Sequence, residues 1–253
     1  MSIAAKQRLL LAVCLIAVIA ALLAPRIPQD PDYHLFADHG SLFSIPNALN
    51  VLSNLLIAWI GIEGLYRLQG QKSLQILPPI KGAYVAFFAA LICITIGSIY
   101  YHWAPDDLSL TWDRLPMTIA FMSFISILLA ERVSLKVARR LLPLLIIAGV
   151  GSIVYWRYSE LAGQGDLRFY ALVQFLPVLL TPLILIAFES RYSRASDLWW
   201  LWIWYLVAKL CEVLDHEIYQ SLQFLSGHSL KHVSAGIGCL VFLRHLRHRR
   251  LLQ

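Results

Sequence analysis

Charge is what this sequence has least of. Only 14% of its 253 residues are Asp, Glu, Lys or Arg, against about 25% in an ordinary soluble domain, while 59% are hydrophobic. That balance excludes a water-soluble globule, and no polar block is long enough to fold as a separate domain. Cysteine is scarce as well. Cys14, Cys93, Cys211 and Cys239 each lie inside an apolar run with no C-x-x-C pair, which excludes a disulfide framework or a cysteine-held zinc in a loop. N-x-[ST] glycosylation acceptors, internal repeats and low-complexity segments are absent too. The net charge of +6 comes from basic residues scattered through short loops, so no nucleic acid partner is expected.

What the chain does have is long apolar runs. The first, Leu9 to Ala24, follows Lys6 and Arg8 and precedes Pro25, a poor cleavage neighbour, so it reads as an uncleaved membrane anchor. Seven more follow: Asn50 to Leu68, Gly82 to Tyr101, Trp112 to Ala130, Leu141 to Trp156, Phe169 to Phe188, Leu198 to Leu214, and Leu230 to Leu243. They are apolar all round, as spanning helices are. The predicted fold class is therefore all-α, a polytopic membrane bundle of seven helices plus one extra N-terminal transmembrane helix. Its divisions are an anchor at 1–25, an extracytoplasmic loop at 26–49 and the seven-helix domain at 50–253.

The basic residues orient this bundle. Fifteen, Lys72 among them, fall in loops on one side and four on the other, with Lys209 and Lys231 inside spans, which accounts for all 21. Both termini are expected to be cytoplasmic. Trp103, Trp112, Trp156, Trp199 and Trp200 fall at helix ends, where indole favours the interface. The short loops lean toward a bacterial inner membrane.

Ionisable groups at the edge of an apolar span are costly unless paired, hydrated or metal-bound, so they mark candidate sites. The stretch SIYYHWAPDDLSLTWDRLPM, from Ser98 to Met117, carries several. On a helix Ser98 lies one turn beneath His102, and Asp113 opens the next helix after a short turn. His228 and His232, again four apart, present two imidazoles at the mouth of the last helix. The charge count puts all of these on the extracytoplasmic side. Three neutral imidazoles with an open position form a catalytic zinc set, although a histidine pair at a helix mouth is also a common hydrogen-bonding pair.

These pieces resemble the alkaline ceramidase family, seven-helix membrane amidases within a wider superfamily that includes adiponectin-receptor-like hydrolases. The resemblance runs from Asn47 to Gly238 and rests on NALNVLSN at 47–54, GSIYYH at 97–102, DRLPM from Asp113 and GHSLKH at 227–232. It implies that His102, His228 and His232 hold Zn2+, that Asp113 is the catalytic base, and that Ser98 steadies the substrate carbonyl oxygen. It also implies a ceramide-like membrane lipid as substrate. Its N-acyl bond, a linear amide, would be hydrolysed to a sphingoid base and a free fatty acid. Animal members of the family carry a calcium site before the second helix. Asp30, Asp32 and Asp38 offer acidity for Ca2+ here, but Asn47 stands where a glutamate is expected. For Ser98 a helix serine bonding back to the preceding turn is the plainer alternative.

Other polar residues have simpler readings. Asn47, Asn50 and Asn54 form a stripe suited to interhelical hydrogen bonds or, less simply, to orienting the site, and Lys209 with Glu212 reads as a buried bridge, with a polar wall that anchors the substrate headgroup as the alternative. Lys231 and His216 read as interfacial, His34 and His39 as loop histidines without an assignable partner, and the tail RHLRHRR as a headgroup contact. Two other classes compete with the hydrolase: a seven-helix receptor or sensor with a structural zinc, and a transporter, for which only Lys209 and Glu212 speak.

Overall fold

The computed structural model describes residues 1–70 and 74–252, and among them there are ten α-helices and no β-strand. Lys72, one of the residues in the charge count, lies outside the described residues. α1 (Ile3–Leu23) begins where the Ser2 hydroxyl accepts the N–H of Ala5 and ends where Pro25 holds Ala24 extended. It takes in the basic turn before the expected run, reaching 21 residues, about 31 Å at 1.5 Å per residue. Only Leu10 is buried, and α1 leans on α7 (Arg168–Ala187).

The second expected helix is two pieces, α2 (Ala48–Leu52) and α3 (Leu55–Gln69). The break has a local cause. The Ser53 hydroxyl and the Asn54 amide both donate to the Asn50 carbonyl, at 3.1 and 2.8 Å, competing with the helical ladder. α4 (Lys81–Trp103) and α5 (Asp107–Arg132) are joined by residues 104–106, so they must pack antiparallel. Asp106 accepts the N–H of Ser109 and the Ser109 hydroxyl accepts that of Asp106, a capping box that starts α5 sharply. The Ser109 N–H holds the Asp106 carboxyl below the usual carboxylate range.

α6 (Leu135–Leu161) and α7 flank α5, and α8 (Asp197–Val213) runs beside α10 (Gly227–His248). Between these two lies α9 (Asp215–Leu222), a short helix in the stretch between the last two expected spans. Among the described residues six helices are long and apolar enough to cross a membrane: α1, the α2–α3 pair, α4, α5, α6 and α7. α8 has 17 residues, and α10 dilutes its apolar face with His228, Lys231, His232 and Arg244. Eight spans were expected, and these two are the weakest of them for that reason.

Phe87, Phe88, Phe124 and Phe242 pack edge to face at the centre, with ring centroids 5.1 Å apart for Phe87 and Phe242 and 5.6 Å for Phe124 and Phe242. At the end carrying both termini, Arg249 is fully buried. It donates to Glu131 at 2.6 and 2.8 Å and sits 3.8 Å from the Tyr192 ring. The tail residue expected to meet headgroups instead ties α10 to α5. A second apolar cluster, Phe36, Tyr101, Leu110, Ile153, Trp156 and Tyr170, lies at the opposite end, under the 26–49 loop.

Candidate metal centre and active site

His102 closes α4, and His228 and His232 stand in the first two turns of α10. The fold brings them together. Ring centroids are 4.8 Å apart for His102 and His228, and 5.0 Å for each of the other two pairs. One nitrogen from each ring lies within 4.8 Å of the other two.

His102 supplies the test of fit to a metal. Both its ring nitrogens are buried with no hydrogen-bond partner among the described residues. Each such group costs about 1–3 kcal/mol unless something outside the chain satisfies it. The Ser53 hydroxyl, which donates to the Asn50 carbonyl, lies 2.8 Å from His232 Nδ1, and the tautomer that donates from Nδ1 to Ser53 Oγ leaves the Nε2 lone pair free for a metal. His228 Nε2 accepts from the Lys231 ammonium at 2.9 Å, and a metal on that nitrogen would displace it. Three imidazoles, one wholly unpartnered, suit a borderline-soft divalent ion such as zinc.

The backbones are pinned as firmly as the rings. Asp215 accepts the N–H of His228 at 2.6 Å and, through its other oxygen, that of Ala37 at 3.0 Å. The Asn47 amide donates to the His102 carbonyl at 2.9 Å, and Asn50 accepts the Ser229 hydroxyl at 2.7 Å. The asparagine stripe is thus an interhelical clasp, as its spacing suggested. Gly227 lets the start of α10 press on the α8–α9 junction, where a Cβ would strike the Cys211 carbonyl.

Ser98 and Asp113 meet across α4 and α5. Gly97 makes this possible, because a Cβ there would run into the Trp112 carbonyl. The Ser98 hydroxyl is near enough to the Asp113 carboxylate to stabilise its charge, and both face a cavity of about 370 Å³ that His232 also lines. Ile57, Phe87, Leu91, Phe121 and Phe124 make the cavity's far wall apolar. A polar rim made by Lys209, Glu212 and Lys231 faces the same space.

Two features escaped the sequence reading. Lys231 is no simple interfacial residue: besides His228 it pairs with Glu212 at 3.2 Å, and Glu212 also pairs with Lys209. The 26–49 loop folds over the centre, where the Phe36 ring lies tilted 4.7 Å from that of His102 and edge-on 4.9 Å from that of His228, and Tyr33 donates to Glu212 at 3.1 Å. Burial pushes the Tyr33 hydroxyl up, keeping it a neutral donor. Arg114 anchors the loop, its guanidinium 4.7 to 5.1 Å from the Trp156, Tyr170 and Tyr33 rings and donating to Gln29 at 2.7 Å. The period-four spacing of Lys231 with Gly227 and Ala235 carries no hint of that role. The proximity of Glu212 and Lys231 depends on how α8 crosses α10.

Other expected features fall elsewhere. His34 bonds Tyr101 and Asp107, at 3.1 and 3.2 Å, and so has partners after all. Asp30 accepts the N–H of Asp32 and Asp38 that of Gly40, each within its own turn. Among the described residues the three histidines are the one group of three or more side chains able to hold a metal.

The family model described as Ceramidase matches residues 41–253, from the end of the covering loop through α10 and beyond, leaving α1 outside. No curated protein matches the chain significantly.

Proposed function

The chain belongs to the ceramidase family, and on that footing we propose that it is a zinc-dependent intramembrane amide hydrolase, cleaving the N-acyl bond of ceramide-like lipids to a sphingoid base and a free fatty acid. The observation carrying this reading is the buried His102, His228 and His232 triad beside the Ser98–Asp113 pair at the polar end of an apolar cavity.

His102, His228 and His232 would hold the zinc, which when bound acidifies water and polarises a carbonyl. The acyl chain lies against the apolar wall, bringing the amide to the polar end. Asp113 takes a proton from the attacking water as the new C–O bond forms, and later returns it to the amine as the C–N bond breaks. Ser98 couples to that transfer. While Asp113 is charged, the serine hydroxyl donates to it; once Asp113 carries the proton, it donates to Ser98 Oγ, and the serine turns its own proton toward the carbonyl oxygen. Such a donor contributes about 3–4 kcal/mol when it meets charge that develops only in the transition state. Phe36 and the loop over the triad exclude bulk water.

In the membrane, all eight long segments span, α8 and α10 included. Both termini face the cytoplasm of a bacterial inner membrane, and the site opens on the other face. α1 serves as an anchor at 1–25, with 50–253 as the hydrolase domain. Asp113 lies outside the group of three histidines, which speaks for a base rather than a fourth ligand and against a closed structural metal. The test is mass spectrometry of ceramide incubated with the purified protein. Asp113→Ala and His228→Ala should lower turnover at least ~100-fold, and full turnover in either variant sinks the mechanism.

A further inference from the structure

The polar rim holds more positive charge than the proposed reaction requires. Glu212 sits between two ammonium groups, paired with Lys209 through one oxygen and with Lys231 at 3.2 Å through the other, which also accepts from Tyr33. All three charged side chains line the cavity and are largely withdrawn from solvent, at 30%, 17% and 15% exposure for Lys209, Lys231 and Glu212. One carboxylate against two ammoniums leaves a surplus of one positive charge. Asp113 does not remove it: its carboxylate lies in the field of Lys231 first and of Arg114 next, and counting both Asp113 and Arg114 the cavity lining holds three cations against two carboxylates. A bound zinc would add to the surplus.

An uncompensated cation on an apolar wall costs several kcal/mol. A methionine would fill either position without that cost. Two lysines here make sense if the occupant of the cavity brings an anion. The position of Lys231 says where, because it stands between His228 and His232 on α10 and so borders the triad even when a metal takes His228 Nε2. An acid bridging the lysines would therefore lie within a few bonds of the amide. The acyl half of a lipid offers no acid there before cleavage, which leaves the amine half.

We propose that Lys209 and Lys231, held on either side of Glu212, form a receptor for an acidic headgroup, so that the lipid cleaved here is an N-acyl amide with a carboxylate or phosphate close to its amide nitrogen. This inference rests on the amide hydrolase reading for the reaction, while the charge recognition can be measured without it.

The experiment is competitive displacement of a fluorescent acyl lipid from the purified full-length protein in neutral-detergent micelles. Two matched pairs serve as competitors: N-dodecanoylglycine against N-dodecanoylethanolamine, and a short-chain ceramide 1-phosphate against the same ceramide. The wild type should bind the acidic member of at least one pair about tenfold more tightly or better. The pair that shows the larger ratio identifies carboxylate or phosphate as the natural acid. Lys209→Met and Lys231→Met should each reduce that ratio, and Glu212→Gln, which removes the competing carboxylate, should raise it. Opposite shifts cannot come from misfolding, and the wild-type ratio needs no variant.

Equal affinity within both pairs overturns the proposal, as does an unchanged ratio in both lysine variants. Dodecanoate binding as tightly as N-dodecanoylglycine also overturns it, since the anion would then sit at the acyl carbon. The same lipids are assayed for hydrolysis. Acid preference with none of the four amides cleaved supports the receptor and removes the hydrolase, whereas cleavage without preference does the reverse.

Discussion

Asp215 holds the backbone N–H of His228 at 2.6 Å, so the residue that starts α9 fixes the first ligand position of α10. Its other oxygen holds Ala37 of the covering loop, making one carboxylate responsible for both the floor and the roof of the site. Asp215→Ala should cost about 2–3 kcal/mol, the range for hydrogen bonds to a charged group. It should also increase hydrogen exchange at both His228 and Ala37. Exchange raised at only one of them would mean that the two contacts are independent.

The contact of α4 with α5 depends on Gly97, where any side chain meets the Trp112 carbonyl. Gly97→Ala should destabilise the protein by about 1–3 kcal/mol through overpacking. By parting Ser98 from Asp113 it should lower lipid turnover about 100-fold. Gly151→Ala on α6, where a Cβ meets nothing within 4 Å, is the matched control and should be neutral or slightly stabilising. Thermal unfolding and turnover of the two variants, compared side by side, check both statements.

Ser53 fixes which nitrogen His232 offers. Ser53→Ala removes the acceptor for Nδ1 and should weaken metal binding about 10- to 100-fold, the usual effect of losing such a supporting partner. Competition with a chelator of known affinity measures this. An unaltered affinity would mean that the Ser53 hydroxyl does not set the tautomer of His232.

α1 is clasped to the bundle by Arg168, which donates to the Leu22 and Ala24 carbonyls while pairing with Asp166 at 2.7 Å. The Arg168 hydrogen bonds hold Asp166 down to about 2. Because the folded value is depressed, the clasp contributes fully above the ordinary carboxyl value of about 4 and is lost as pH falls toward 2. Hydrogen exchange at residues 20–30 should therefore stay constant from neutral pH down to about 4, after the intrinsic rate is removed, and rise below it. Asp166→Asn should show the raised exchange already at pH 6.

Much of the site was legible because it rests on local rules. Ser98 and His102 share a face by the four-residue step, as do His228 and His232, and apolar length alone marked the helices. The break at Ser53 and Asn54 was less visible, since three asparagines in an apolar run read equally well as a polar stripe on an unbroken helix. α9 escaped because its eight residues, between the last two expected spans, are too few and too polar for apolar length to mark them. The roles of Lys231, Phe36 and Arg249 depend on which helices cross, and long-range crossings leave no periodic mark in one sequence.

The most direct test of the central claim is the metal content of purified protein, wild type beside His102→Ala, by elemental mass spectrometry. One zinc per chain is expected in the wild type and little in the variant, whose two missing nitrogens have no hydrogen-bond partner among the described residues. A wild type reconstituted with zinc that retains none, or a variant that retains the full complement, would contradict a metal centre built on His102, His228 and His232.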